Sequence, residues 1–510
     1  MQWLTTTVDQ LNKRFPKGQI LIESGGSPSG TYHLGHMREL IICDALVLEL
    51  RRSGREAKHI YFVDDLDALR KVPTNVPAEF SQYLGMPICD VPAPDGSRQS
   101  YAEYFLEGLI NSCKSLNIEV EFIRSHQKYR AGFFIPAIER SLERVPQIRQ
   151  TLEKVSNRRL DENWTPIQVL ENGRLKNRPF LGIDKVNRNL SYLNSDGQAA
   201  IVSYAGGAVK LDWRLDWPAR WWLLKVQAEP FGREHASAGG SYDSGVQLMS
   251  NVFEAQPPIA VAYESINMIG DTKKMSASKG TAVSATEGLK IMPAEVLRYF
   301  ILRAPLNKRL YFDPVEGVVK LMDEFASLVA KADPTKDEEQ LLYVCSRGEV
   351  RKTVSRVPFS QLVASYQASL EDANKTLEIV RRSEHGGVVE PEADIIKSEL
   401  RFISEWLKNW APEEIKFKLR PTINATEFTE PEKKSLKILA DKIAEAPADA
   451  DGVWFHNAIY ELKDSQGLEP KEIFNALYRA LISKTSGPRA GYFLSILPRQ
   501  WLVARLRLES

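Results

Sequence analysis

Apolar residues fall into two rhythms along this chain, and the rhythm changes near residue 315. Before that point short apolar runs alternate with helix-spaced stretches. Gln19-Ile20-Leu21-Ile22 reads as a buried parallel strand. From 37 to 53, Leu40, Ile41, Leu46, Val47 and Leu50 recur at near-helical spacing, and Gly54 supplies the stop. His59-Ile60-Tyr61-Phe62-Val63 predicts another strand, ending in Asp64 and Asp65. Residues 66–205 have a different texture. Pro73, Pro77, Pro87, Pro92 and Pro94 mark irregular chain, a helix is predicted around 101–116, and 166–204 carry short β-like runs separated by Asn-Gly and Asp-Gly turns. The first rhythm resumes by about residue 209, and Ile259-Ala260-Val261-Ala262-Tyr263 predicts a further strand. Beyond 315 the stripes are helical. Leu436, Leu439, Ala440 and Ile443 follow Pro431, and Ile473, Phe474, Leu477 and Leu481 form another stripe, both read as core packing. Residues 331–340, KADPTKDEEQ, are the best linker candidate.

Composition narrows the class without deciding it. At 510 residues the chain is long enough for two to four domains. The formal net charge is +1, so a nucleic-acid partner has to be met by local basic patches. Cys43, Cys89, Cys113 and Cys345 are scattered, with no Cys-x-x-Cys pair, which points to a reducing compartment. No apolar run approaches 18 residues and no signal peptide is visible, so a soluble, cytoplasmic protein is expected, with no membrane association.

The candidate chemistry sits in two segments. SGGSPSGTYHLGHMRE, residues 24–39, joins the first strand to the first helix. A glycine-rich turn lets the backbone approach a ligand, and the helix start attracts phosphate through its N–H groups and dipole. His33 and His36, three apart, face the same way and can donate to phosphate oxygens as charge develops. Gly35 between them leaves room for a flat base or sugar. By itself the segment also describes a tight turn with two surface histidines, yet the chain has only seven histidines. KKMSASKGTAVS, residues 273–284, has no apolar period and reads as a loop. Its lysines are mobile point charges, suited to phosphates that move during a reaction. Such a loop alone is usually just solvated. Together, in this order, the segments describe a site that holds ATP from both ends and transfers its adenylyl group. Asp64 and Asp65 either stand where open α/β sheets bind ligands or cap the next turn. Trp217 and Trp221, beside Pro218, are either pocket walls or core aromatics.

Residues 28–36, PSGTYHLGH, resemble the His-x-Gly-His signature of class I aminoacyl-tRNA synthetases, and 274–278 resemble their Lys-Met-Ser-Lys-Ser loop. DDLDALRKVPTNVP (64–77), YLGMPICDVPAPDG (83–96), LDWRLDWPARW (211–221), GREHASAGGSYDSG (232–245), GPRAGYFLSIL (487–497) and the final ARLRLES narrow the resemblance to class I lysyl-tRNA synthetases. The resemblance implies an α/β fold: a Rossmann-type parallel-sheet catalytic core with an inserted α+β region and a C-terminal all-α domain. It implies core halves at 1–65 and 206–315, an inserted acceptor-end region at 66–205, a connecting helical region at 316–350 and an anticodon-binding domain at 351–510. The implied activity is a ligase that makes lysyl-adenylate from L-lysine and ATP, then moves lysine to the 3'-terminal adenosine of tRNA(Lys). His33, His36, Lys274 and Lys279 take the catalytic roles by resemblance. Pro28, Ser29, Gly30, Gly35, Gly232, Glu234, Met275, Ser276 and Ser278 join them around ATP, which enters with Mg2+. Gly25, Ser27, Glu39, Asp64, Trp217, His235 and Tyr263 line the lysine pocket, because an ammonium needs a carboxylate and preferably an aromatic face. Tyr492, Phe493 and Trp501 are candidates to stack on bases, with Arg489, Arg499, Arg505 and Arg507 near in sequence to meet tRNA phosphates; for any single one of them core packing or a solvated face is the better reading, so the expectation concerns the domain. No obligate protein partner is evident.

Two positions depart from the family pattern. The fourth loop position is Ala277 rather than lysine, which leaves Lys279 as the substitute, and Glu234 stands where class I enzymes often carry an aspartate for the ATP ribose. No structural zinc is expected, since neither Cys nor His occurs between residues 127 and 234. Three alternatives compete: a class I synthetase for glutamate or arginine, a small nucleotidyltransferase, and a silent RNA-binding paralogue. A glutamate pocket should centre on an arginine, the second needs no 190-residue helical tail, and intact His33, His36, Lys274 and Lys279 argue against the third.

Overall fold

A run of apolar residues too short for a helix is stable as a strand when both its faces are covered. The chain obeys this from the start: α1 (Gln2–Arg14), β1 (Ile20–Gly26), α2 (Leu34–Arg52) and β2 (Ala57–Val63) alternate. The computed structural model describes every residue except 98, 271–282, 332–333, 349–352, 449, 467–468 and 510, and only the backbone of 463–466 and 470. After α3 (Tyr101–Ser115) and β3 (Glu121–Arg124) come α4 (Ser125–Arg130), α5 (Ile135–Glu143) and α6 (Val145–Ser156). Six short strands follow: β4 (Ile167–Glu171), β5 (Arg174–Asn177), β6 (Phe180–Asp184), β7 (Asn189–Leu193), β8 (Ala199–Ser203) and β9 (Val209–Leu211). Then α7 (Trp213–Leu224), β10 (Ala228–Gly232) and β11 (Ile259–Tyr263) lead to a small parallel pair, β12 (Ile266–Met268) with β13 (Leu310–Phe312).

The central sheet has the order β11-β10-β1-β2-β3, and every pairing in it is parallel. Strand order reverses between β1 and β10, so a crevice opens at their C-terminal ends, where open α/β sheets bind ligands. One strand departs from the sequence reading: β3 lies within 66–205, yet it completes the parallel sheet. Its Glu121-Phe122-Ile123-Arg124 is only four residues long with a charge at each end, too little to signal a core strand. The remaining strands of that region form two antiparallel three-stranded sheets, β5-β4-β9 and β6-β7-β8, the first of them completed by β9 from just beyond residue 205. Phe62, Phe134, Ile167, Leu211, Trp221 and Phe253 share one buried apolar cluster.

Helix α2, capped by His33 and carrying His36, is buried on nearly every side. Buried cations fix its position. Arg38 donates to the carbonyls of Ser265, Leu306 and Lys308, and Arg298 meets Asp44 at 2.7 Å while donating to the Cys345 carbonyl at 2.8 Å. Gly54, at φ +82°, ends the helix as a residue without Cβ can.

Two compact units divide the chain: Met1–Gly288 with Arg298–Phe312 and Glu339–Arg347, and Leu289–Leu297 with Asp313–Glu338 and Gly348–Ser510. The stretch 316–350 is therefore shared between them. Residues 331–340 are not a plain linker either. A helix, Lys336–Ser346, starts there, with Thr335 and Glu338 capping each other's backbone. The polar residues that suggested a linker are the helix start. In the second unit Leu436, Leu439, Ala440, Ile443, Ile473, Leu477 and Leu481 share one buried cluster, with Phe474 packed against its edge.

Candidate active site

The crevice holds a cavity of about 330 Å³. Its rim is the turn from β1 into α2. His33 caps α2: its Nδ1 accepts the Gly35 N–H at 3.1 Å, while His36 Nδ1 accepts the His33 N–H at 3.1 Å. The two rings lie 4.0 Å apart. Gly35 is needed for this arrangement, because a Cβ there would stand 2.8 Å from the His33 ring. In the structure the space at Gly35 is thus taken by His33 itself, not kept for a base or sugar. The first N–H of the helix, that of Leu34, donates to the Val283 carbonyl at 3.0 Å.

Glu39 lies one turn further along α2. Its carboxylate accepts the Gly25 N–H at 3.2 Å and the Tyr263 hydroxyl, which joins α2, β1 and β11 at one point. Burial, then the Glu39 charge, holds the Tyr263 phenol well above its ordinary range. Gly25 lets β1 approach β2 closely, since a Cβ would meet the Phe62 carbonyl at 2.7 Å. On the opposite wall His235 packs beside both Trp213 and Trp217, with ring centroids 5.7 Å and 5.6 Å away. Glu234 precedes it and fills the space beside Gly232.

The floor is ionic. Arg220 of α7, 3% exposed, meets Asp216 at 3.1 Å, Asp64 at 3.3 Å and Glu23 at 3.7 Å. Lys210 of β9 meets Asp67 at 3.0 Å and Asp216 at 3.4 Å. Trp217 Nε1 donates to Glu229 at 2.8 Å. Burial pushes the carboxyl of Glu23 up to about 8 against the pull of Arg220, and that of Asp64 up to about 7 in the same way. Burial and then Glu23 hold Glu229 well above the usual carboxylate range. Burial alone would lower Arg220, but Asp64, Asp216 and the two glutamates keep it protonated.

Of the residues singled out from sequence, Gly25, Ser27, His33, Gly35, His36, Glu39, Asp64, Trp217, Gly232, Glu234, His235 and Tyr263 line this one cavity. Pro28, Ser29 and Gly30 do not. They form the turn behind it, where Tyr101 donates to the Ser29 carbonyl at 2.9 Å and Gly30 abuts Pro73. Lys274, Met275, Ser276, Ser278 and Lys279 lie outside the described residues. Asp65 is a cap rather than a ligand group: it accepts from Ser125 and from the His126 backbone, each at 2.8 Å. Trp221 is a core residue, 1% exposed.

Among the aromatic and basic residues near the C-terminus Arg489 and Arg507 are exposed, but the others are packed. Phe493 is 0% exposed, Tyr492 and Trp501 pack against the helical core, and Arg505 is 4% exposed with its guanidinium over Trp501. Arg499 donates to the Ala446 and Pro447 carbonyls. These side chains close the helical unit, because amphipathic aromatics and arginines pack well against backbone carbonyls. Sequence reading missed Glu23, Trp213, Arg220 and Glu229. For the two glutamates a signal existed, namely a carboxylate inside a strand whose neighbours are buried on both faces.

A family described as class I tRNA synthetases (K) matches residues 1–346. The lysine–tRNA ligase of Archaeoglobus fulgidus is 35% identical over 510 residues, covering 99% of each chain. Lysine–tRNA ligase 1 of Methanosarcina acetivorans is 35% identical and covers 100% of this chain and 98% of its own. The lysine–tRNA ligase of Pyrococcus horikoshii is 30% identical with complete coverage of both chains.

The floor makes stability depend on pH. In the unfolded chain Glu23 and Asp64 titrate near the ordinary carboxylate values of about 4. Their folded values are higher, about 8 and about 7, so the folded state binds more protons. The stability they confer is complete below the unfolded range and is lost as pH rises through the folded values. The melting temperature of the unliganded protein should therefore fall between about pH 6.5 and about pH 8.5, and fall less in Glu23→Gln. Circular dichroism melts across that window test this, and a flat or rising melting temperature in the wild type contradicts it.

Proposed function

This chain belongs to the class I lysyl-tRNA synthetases, and from that premise we propose how its cavity shares out the work of the enzyme. The protein activates L-lysine with ATP and charges tRNA(Lys). In the first step a lysine carboxylate oxygen attacks the α-phosphorus. The new bond is carboxyl O–P, the broken bond is P–O to the β-phosphate, and pyrophosphate leaves. His33 and His36, at the start of α2, donate to phosphate oxygens as charge develops. Glu234 and Gly232 hold the ribose and base side of the nucleotide. Lys274 and Lys279, with Ser276 and Ser278, neutralise the departing pyrophosphate. ATP brings its magnesium ion on its own phosphates; no cluster of three metal-ligating side chains occurs among the described residues. In the second step the terminal adenosine hydroxyl of tRNA attacks the lysyl carbonyl and AMP leaves.

Lysine itself lies between Glu39, held by Tyr263, and the aromatic wall of Trp217 and His235. The observation that carries this reading is the tie of Glu39 to Gly25 and Tyr263, which fixes a carboxylate one helical turn from the phosphate-facing histidines. The C-terminal helical unit is assigned to the anticodon as a whole. Its tRNA contacts have to come from side chains other than the packed Tyr492, Arg499, Trp501 and Arg505. We place the enzyme in the cytoplasm, with tRNA as its macromolecular partner and no obligate protein partner. Among the described residues no helix is long and apolar enough to cross a membrane.

Three measurements test these assignments. Glu39→Gln should raise the lysine KM far more than the ATP KM in pyrophosphate exchange, because an ammonium left without its carboxylate costs several kcal/mol. Equal losses would make Glu39 a strut of α2. Lys279→Ala should slow adenylation roughly 100-fold with lysine affinity unchanged, the cost of one transition-state charge contact. Near-normal exchange would remove Lys279 from the reaction. Altering an anticodon base of tRNA(Lys) should lower charging about tenfold or more, since a stacked base contributes about 1–3 kcal/mol. Unchanged charging would refute the anticodon role.

A further inference from the structure

Five acids, Glu23, Asp64, Asp67, Asp216 and Glu229, gather around two bases, Lys210 and Arg220, and of these Glu23, Asp64, Asp67, Glu229 and Arg220 line the cavity. Buried charge of one sign cannot persist uncompensated. Lys210 is committed to Asp67 and Asp216, and Arg220 to Asp216 and Asp64 with a longer ion pair to Glu23, while the excess collects on the two glutamates. Glu23 and Glu229 occupy matching places on adjacent strands. Ile22 pairs with Ala228, so the next residue on each strand is a glutamate, and both point to the same face. They are 1% and 3% exposed, and both line the cavity. Neither oxygen of Glu23 has a hydrogen-bond partner, and Glu229 has one only at the oxygen facing Trp217. Polar groups buried this deeply are almost always hydrogen-bonded. Three acceptor oxygens without a hydrogen bond, one of them 3.7 Å from the Arg220 guanidinium, therefore describe a seat for a donor that arrives with the ligand.

Depth decides which donor. Glu23 and Glu229 each lie three residues before the end of their strands, Gly26 and Gly232, or about 10 Å below the edge where the histidine turn receives phosphate. The reacting carboxylate of lysine must stay at that edge, so its other end points down. We propose that Glu23 and Glu229 are the specificity-determining seat of the lysine side-chain ammonium, while Glu39 serves the ammonium beside the reacting carboxylate. This rests on the cavity being the lysine pocket. An ammonium has three N–H donors, matching the three open oxygens. Without substrate, protons supply the missing positive charge. The groups facing the pair are Arg220 and Asp216 on α7, Asp64 at the end of β2 and Glu39 on α2. Arg220 opposes protonation and the three acids favour it. Lysine must therefore displace a proton from the pair as it binds, and bind more tightly as pH rises toward 8.

The test uses the full-length enzyme in lysine-dependent pyrophosphate exchange. Glu23→Gln and Glu229→Gln keep the shape of the side chain, and the amide oxygen introduced by the second can still accept from Trp217. Each should raise the lysine KM about 30-fold or more, with the ATP KM within about twofold of wild type. Each should also erode the preference for lysine over 2-aminoheptanoate, in which methyl replaces the side-chain ammonium, whereas Glu39→Gln should preserve that preference. Lysine KM unchanged in both floor variants, with Glu39→Gln still impaired, overturns the seat and leaves the pocket reading standing. Lysine KM unchanged in all three overturns the pocket reading and the seat with it. Calorimetry of wild-type enzyme with lysine, in buffers of different ionisation enthalpy at about pH 6.5, needs no variant to fold. About one proton should be released per lysine bound. Release of none overturns the proposal.

Discussion

One guanidinium holds the pocket floor together. Arg220 reaches from α7 to Asp216 on its own helix, to Asp64 at the end of β2 and to Glu23 within β1, and its plane lies over the Phe62 ring at 4.5 Å. Only arginine has this combination of planar stacking, several donors in fixed directions and permanent charge. With it in place, three acids can be buried side by side and α7 is fixed against the sheet. Trp217, one turn earlier on that helix, is thereby set against Glu229. Without it, several carboxylates would share a dry space with little compensation, a cost of several kcal/mol.

The opposite wall follows the same logic. Helix α2 is nearly all buried, and apolar packing alone would let it slide or rotate by small amounts, since such contacts lack direction. Arg38 and Arg298 add direction. The first pins α2 to carbonyls beside β12 and β13, and the second pins Asp44 to the carbonyl of Cys345. A turn with the catalytic role proposed for this one must stay in place to a fraction of an ångström for its donors to match a transition state. Buried ion pairs add little net stability, but here they specify register.

What the sequence made legible follows from range. The β1–α2 unit could be read because Ile20-Leu21-Ile22, a glycine turn and Leu40 to Leu50 are local signals that agree with the fold. The strand β3 could not, because Glu121 to Arg124 becomes a core strand only through pairing with β2. Glu23 and Glu229 escaped for a related reason. The buried run around each glutamate was a local hint of burial, but the groups that each one faces are set only by the neighbouring strand and α7. Arg499 and Arg505 show the converse error: basic residues near aromatics suggest nucleic acid, yet Arg499 donates to the Ala446 and Pro447 carbonyls, and Arg505 is buried, donating to the Pro421 carbonyl. Sequence gives the type of a side chain, and tertiary structure gives its partner.

The reciprocal cap at the start of α2 has a chemical consequence. A backbone N–H can only donate, so the Nδ1 atoms of His33 and His36 must each present a lone pair to Gly35 and His33 respectively. Each neutral imidazole therefore carries its proton on Nε2. The tautomer is chosen by the main chain, before any nucleotide arrives. Moving either proton to Nδ1 would set hydrogen against hydrogen and undo the cap. The helix start thus prepares two N–H donors on the ring edge away from the backbone, and prolyl or alanyl replacements there would alter a proton's address as well as a side chain.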